Sequence, residues 1–284
     1  TIYASGCMMR QQLIEEFFMS KQLDSTALQH FRSQAVKTFS DVDFLFTETQ
    51  HRLLQRLEAM KLTSGDSLIF SAQQTQCCLP VDSRSSFSSS ISVNDLSALS
   101  QLEKNTANLV FSNLAASIED ISPFIQASFQ VLKQDGLLLF SLLGPRTLSE
   151  LRHAFRHDAA PHVHRFYDMH DVGDLLLAQG FESPVMESSL IEVNYQRLPK
   201  LFTELRQMGV QCVLPERRRG LTGKHVWQEM LRRYAQDATG KYPVTVELMI
   251  GHAWKPALSS EASPRDREVT VSIDQIKRRN HESD

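Results

Sequence analysis

The clearest pattern of apolar and polar positions lies in the middle of the chain. Asn108-Leu109-Val110-Phe111-Ser112 reads as a buried strand. A helix over Ile121–Leu132 follows, with Ser122 as its cap and Pro123 in its first turn. Lys133-Gln134-Asp135-Gly136 stops it, and Leu137 to Leu142 places apolar residues on both sides of Ser141, the mark of a parallel strand covered on both faces. Strand, helix and strand in close succession make a βαβ unit, whose right-handed crossover sets the two strands parallel.

The flanks extend this alternation. Leu23 to Met60 has a helical pattern, with Leu53, Leu54 and Leu57 forming one stripe, and Thr63-Ser64-Gly65-Asp66 ends it before a strand at Ser67–Phe70. The serine-rich stretch from Cys77 to Gln101 predicts two short strands, Leu79–Val81 and Ser90–Val93, each ending near an aspartate, Asp82 and Asp95. Downstream, Thr147 with Glu150 three residues on predicts a capping box for a helix over 147–155. A helix over 171–179 leads to a strand ending at Tyr195, helices over 198–208 and 225–236, and a closing strand over 242–252. These elements predict an α/β fold: a doubly wound, mostly parallel sheet with an antiparallel edge and a helical insertion at about 196–240. The expected organisation is an extension over 1–22, one domain over 23–256 with a helical lead over 23–62, and a polar tail over 257–284 expected to be disordered.

Composition narrows the function classes. With 42% hydrophobic and 22% charged residues in 284, the chain has the balance of an ordinary globular protein. A net charge of −3 excludes a polycation, so nucleic acid is not an expected partner. No apolar run approaches the roughly 20 residues that span a bilayer, so no membrane association is expected either. Glu15 and Glu16 interrupt the most apolar part of the first residues, against a secretory signal, and Met8 and Met9 point to a natural start inside the sequence. Cys7, Cys77, Cys78 and Cys212 form no C-x-x-C pair and read as reduced thiols of a cytoplasmic protein.

The turn after Ser67–Phe70 is Ser71-Ala72-Gln73-Gln74-Thr75-Gln76, without glycine. In nucleotide-binding α/β domains this turn is usually glycine-rich, because backbone and cofactor must approach closely there. The stretch "NLVFSNLAASIEDISPFIQASFQVLKQDGLLLFSLLGPRTLSELRHAF" nevertheless resembles the middle of class I S-adenosylmethionine-dependent methyltransferases. "HVHRFYDMHDVGDLLLAQGFESPVMES", "LFTELRQMGVQCVLPERRRGLTGKHVWQEMLRRY" and "KYPVTVELMIGHAW" are similar to one subfamily, the malonyl-acyl-carrier-protein O-methyltransferases of biotin synthesis. "HFRSQAVKTFSDVDFLFTETQHRLLQRL" resembles that subfamily's N-terminal helices, so the likeness runs from about His30 to Trp254.

The resemblance implies a seven-stranded Rossmann-like methyltransferase sheet with S-adenosylmethionine over the carboxyl ends of its first strands. It places Ser71, Ala72 and Gln73 in the cofactor loop, Asp82 at the ribose hydroxyls and Asp95 at the adenine amine. Ser112, Asn113 and Leu114 fall at the methyl-transfer site, and Arg165 and Phe166 at the substrate mouth, where a guanidinium suits a malonyl carboxylate. Arg217, Arg218, Arg219 and Lys224 form a basic patch suited to an acidic acyl carrier protein. His162, His164 and His170 invite a metal, but no second cluster completes a ligand set and none is expected. No nucleophile–base pair is required, since the carboxylate is the nucleophile and the sulfonium methyl is already activated. Two outcomes stay open at this point. One is a working or weakened methyltransferase with an altered cofactor loop; the other is a pseudo-enzyme that keeps the fold and serves as a binding or assembly protein.

Overall fold

The computed structural model describes residues 23–35, 44–60, 65–70, 87–93, 96–118 and 120–257. The expected extension, the polar tail after Ala257 and the strand over 79–81 therefore lie outside the described residues. Two helices are described in the lead, α1 (Ser25–Ala35) and α2 (Phe44–Glu58). There follow β1 (Gly65–Phe70), β2 (Phe87–Val93), α3 (Leu96–Ser100), β3 (Ala107–Ser112), α4 (Ile121–Val131) and β4 (Leu132–Leu143). The chain continues through α5 (Ser149–Ala154), α6 (Met169–Gln179), β5 (Glu182–Tyr195), α7 (Leu198–Gln207), α8 (Lys224–Arg233) and β6 (Tyr242–Trp254).

Among the described residues the sheet has six strands, in the order β2-β1-β3-β4-β6-β5. The first four run parallel, and β6 lies antiparallel between β4 and β5. This is the expected doubly wound sheet with an antiparallel edge. Among the described residues β2, which contains the expected strand Ser90–Val93, stands directly beside β1.

Alternation along the strands sends successive side chains to opposite faces. Leu138, Phe140 and Leu142 of β4 join Phe70, Val110, Phe124 and Leu176 under α4 and α6. Leu137, Leu139 and Leu143 join Ile69, Leu109, Phe111 and, from α2, Leu45 and Leu53 on the other face. Gly251 lets β6 pass between the two neighbours: a Cβ there would run into the Met186 sulfur and the Phe140 ring.

Local signals resolve differently at two helix starts. Asp120, not Ser122, caps α4, its carboxylate accepting from the Ser122 N–H at 3.2 Å. The Thr147–Glu150 capping box does not form, because both side chains bond to β6 instead. Glu150 accepts from the Thr245 N–H and hydroxyl, and the Thr147 hydroxyl accepts from the Glu247 N–H at 3.1 Å. Leu148 takes the N-cap position in a left-handed conformation, with φ 55°.

The register of β6 positions the rest. Leu248 to Trp254 pair with β4, whereas Tyr242 to Glu247 extend past the end of β4 and pair only with β5. Six residues of two-stranded ribbon thus project roughly 20 Å beyond the sheet, at about 3.4 Å per residue. The helical insertion hangs on this ribbon: Tyr195, Leu198, Leu201, Met230, Tyr234 and Val244 bury one another together with Leu151 and Phe155 of the α5 region. The insertion is a cap carried by the sheet's own last strands.

Candidate functional site

In open parallel sheets ligands bind outside the carboxyl ends of the strands, here the edge where β1, β2, β3 and β4 end. Ser112, Asn113 and Leu114 close β3 at that edge, and all three are buried. The Asn113 amide donates to the Phe46 carbonyl of α2 at 2.9 Å, and its oxygen accepts from the Ser141 hydroxyl at 3.2 Å. Ser141 in turn accepts from the Leu114 N–H at 2.9 Å. One polar residue inside an apolar strand therefore joins the ends of β3 and β4, and its place in an otherwise apolar run is the sequence signal for it. The Ser112 hydroxyl is fully buried, with no hydrogen-bond partner among the described residues.

Leu114 and Leu148, which follow β3 and β4, both hold positive φ, 55° in each case. For a leucine this region costs about 1–2 kcal/mol. Strain of this kind at two adjacent strand ends is characteristic of functional edges.

The loop after β4 runs along the projecting ribbon like a short extra strand. Gly144 N–H donates to the Glu247 carbonyl at 2.9 Å and Leu148 N–H to the Thr245 carbonyl at 2.8 Å. The Glu247 carboxylate holds the same loop, accepting from the Arg146 N–H at 2.7 Å and from the Ser188 hydroxyl at 2.9 Å. Residues 161–167 form the facing segment. Here Phe166 packs between the core under α2 and the cap, and Arg165 is exposed. The His164 ring, buried, reaches the Gln211 carbonyl at 2.9 Å and the Val213 N–H at 3.1 Å.

The three histidines serve separate contacts. His162 meets Asp158 at 2.9 Å and His170 meets Asp168 at 2.7 Å, while His164 ties down the 211–213 backbone. Asp158 also takes the Arg218 guanidinium, and these hydrogen bonds, His162 first, lower its pKa to about 2 against the penalty of burial.

Of the basic patch, Arg217 is half-buried and paired with Asp24 at 2.7 Å, beside the bond from the Asp24 N–H to the Val213 carbonyl. With Leu28, Ile118 and Val213 packed together, this pair fastens the start of α1 to the cap. Arg218 is engaged with Asp158, whereas Arg219 and Lys224 are exposed with no ion pair among the described residues. Between them Leu221 is 97% exposed. Arg232 and Arg233 share the Glu229 carboxylate on α8.

Ser71, Ala72, Gln73, Asp82 and Asp95 lie outside the described residues, as do Cys7, Cys77 and Cys78. The Cys212 thiol is half-buried, and its burial pushes its pKa up. Sequence reasoning missed Ser141, Glu247 and Arg152 as builders of this edge; the partners of Glu247 and Arg152 lie on segments that only the fold brings together.

No family model matches the chain. A malonyl-[acyl-carrier protein] O-methyltransferase of Coxiella burnetii is 35% identical over 278 residues, covering 91% of this chain and 98% of that protein. The enzymes of the same name from Nitrosospira multiformis and Gallionella capsiferriformans are 45% and 41% identical over 159 and 166 residues. Those two matches take in about half of each relative, 52% and 57%.

Proposed function

From the premise that the chain belongs to the malonyl-[acyl-carrier protein] O-methyltransferase family, we propose that it methylates the free carboxyl of malonyl-acyl-carrier protein, an early step of biotin synthesis. The observation that carries this is the 278-residue likeness to the Coxiella protein, which spans the cap as well as the sheet. A likeness confined to the sheet would support a methyltransferase fold and leave the acceptor open.

S-adenosylmethionine would supply an electrophilic methyl group on its sulfonium. The ligand edge fits such a group: the Ser112 hydroxyl is buried there without a partner among the described residues, and Ser141 fixes the Asn113 side chain and the Leu114 backbone. Ser112, Asn113 and Leu114 are the proposed cofactor residues among those described, joined by Ser71, Ala72, Gln73, Asp82 and Asp95. Of the two aspartates, Asp82 is proposed for the ribose hydroxyls and Asp95 for the adenine amine, each by accepting hydrogen bonds. Arg165 and Phe166 are proposed to receive the malonyl carboxylate, by charge and by the apolar wall behind it. The protein's contribution is then to orient the acceptor and exclude water, which suffices where nucleophile and leaving group are already reactive.

For the carrier protein, Arg219 and Lys224 are the proposed docking charges, with Leu221 between them. Arg217 and Arg218 contribute by holding the loop, through Asp24 and Asp158. A pseudo-enzyme is the second reading, favoured by the glycine-free Ser71–Gln76 turn. Calorimetric titration with S-adenosylmethionine or its demethylated product separates the two. Micromolar binding supports the enzyme, and no heat at millimolar ligand removes it in favour of the second reading.

A further inference from the structure

We propose that Arg152 is a positioning residue that ties together the two walls of the acceptor mouth. This rests on the reading that residues 161–167 and the loop after β4 frame that mouth.

Arg152 lies on α5, half-buried, and among the described residues its guanidinium bonds to main-chain oxygen alone. One terminal nitrogen donates to the Pro145 carbonyl at 2.9 Å. The other donates to the Thr147 and His164 carbonyls, each at 3.2 Å. Pro145 and Thr147 belong to the loop that leaves β4 along the ribbon, and His164 immediately precedes Arg165 and Phe166. One side chain thus fixes the spacing between the strand end at the methyl-transfer edge and the segment that carries the acceptor residues. His164 continues the tie on its far side, since its ring holds Gln211 and Val213, and Val213 accepts from the Asp24 N–H.

The chemistry selects arginine for geometry rather than for charge. A planar fork with donors in fixed directions can satisfy carbonyls from two segments at once, whereas an ammonium is a compact point charge on a flexible stem. Among the described residues no carboxylate bonds to Arg152; its burial lowers its pKa, offset in part by the charge of Glu150. Nearby alternatives serve less well: Glu247 and Glu150 hold the loop to the ribbon but do not reach the 161–167 segment.

Arg152→Lys and Arg152→Gln test this. Both are expected to raise KM for malonyl-carrier protein about tenfold, the scale of one charge-assisted hydrogen bond. The change in kcat should be smaller, and the affinity for S-adenosylhomocysteine should stay within about twofold. Amide hydrogen exchange should rise together in residues 144–148 and 161–167, with the sheet unchanged. Full rescue by lysine would mean that charge is what counts and overturns the tie. So would a parallel loss of cofactor affinity, or a collapse of melting temperature in both variants. If the unaltered protein methylates nothing, the functional reading fails, and the exchange measurement still decides the tie: protection unchanged in both segments would sink it.

Discussion

Replacing Lys255 with methionine removes a buried ammonium that finishes a helix. The last four carbonyls of α4 have no partners within the helix. Ser128 accepts from the Leu132 N–H, Gln130 from the Asn105 N–H and Val131 from the Thr106 N–H. Phe129 is left to Lys255 Nζ, at 2.8 Å, which also reaches the Leu132 carbonyl at 2.7 Å and the Asn105 side-chain oxygen at 2.8 Å. The ammonium lies 4.8 Å from the Phe129 ring centroid. A buried carbonyl left unpaired costs about 1–3 kcal/mol, and a cation at a helix carboxyl end contributes about 0.3–1 kcal/mol. Removing a desolvated charge returns part of this, which leaves about 2–3 kcal/mol of destabilisation. For a domain of this size that corresponds to a fall in Tm of about 5–10 °C, measurable by calorimetry or circular dichroism. Arg152→Gln and other cap variants should not reproduce it, because the affected exchange would map to α4 and the end of β6. A Lys255→Met protein melting within about 2 °C of the original would refute the accounting of the α4 terminus.

Five further outcomes are expected. Asp158→Asn should lower Tm and weaken the acid dependence of stability. The depressed pKa of Asp158 gives stabilisation present above the ordinary carboxylate range and lost as pH falls toward about 2, so pH-scanned unfolding checks the sign. Tyr167, Tyr195 and Tyr234 are held above their ordinary pKa, chiefly by burial, so stability should fall as pH rises past about 10. Absorbance of tyrosinate should show these three ionising late, with unfolding. Arg219→Glu combined with Leu221→Asp should raise KM for carrier-bound malonate while leaving a small malonyl thioester and melting unaffected, whereas Arg217→Ala should release α1 and speed its proteolysis. Gly251→Ala should cost about 1–3 kcal/mol by overpacking against Met186 and Phe140, seen as a lower urea midpoint.

The central βαβ unit was legible because its signals are local, two apolar runs and a proline in the first turn of the helix between them; the stop was not, since α4 ends at Val131 and Lys133–Gly136 already belong to β4. What sequence reading misassigned depends on partners far along the chain. Thr147 and Glu150 have the spacing of a capping box, yet residues 245 and 247 claim both side chains once β6 is in place. Asp120 and Ser122 are both good cap formers, and only the path of the chain decides between them. The end of β3 at the sheet's ligand edge was legible as a position, through Ser112, Asn113 and Leu114. Its construction was not, because Ser141 and Arg152 act on backbone atoms that become neighbours only on folding. The basic patch was legible as charge, but which arginines are spent on Asp24 and Asp158 is a matter of tertiary geometry.

The double duty of β6 has a consequence for how the molecule comes into being. Its second half seals one flank of β4 and its first half carries the cap, so neither can be finished before residues 242–254 have been synthesised. Until then the nascent chain holds β4 with an open hydrogen-bonding edge and a set of cap helices with nothing to rest on. Such pairing across a long sequence separation is slow and leaves adhesive surface exposed in the interval. Sheet and cap are therefore completed in one late event, and a chain stopped short of Tyr242 would forfeit the footing of the cap together with the order of the central strands.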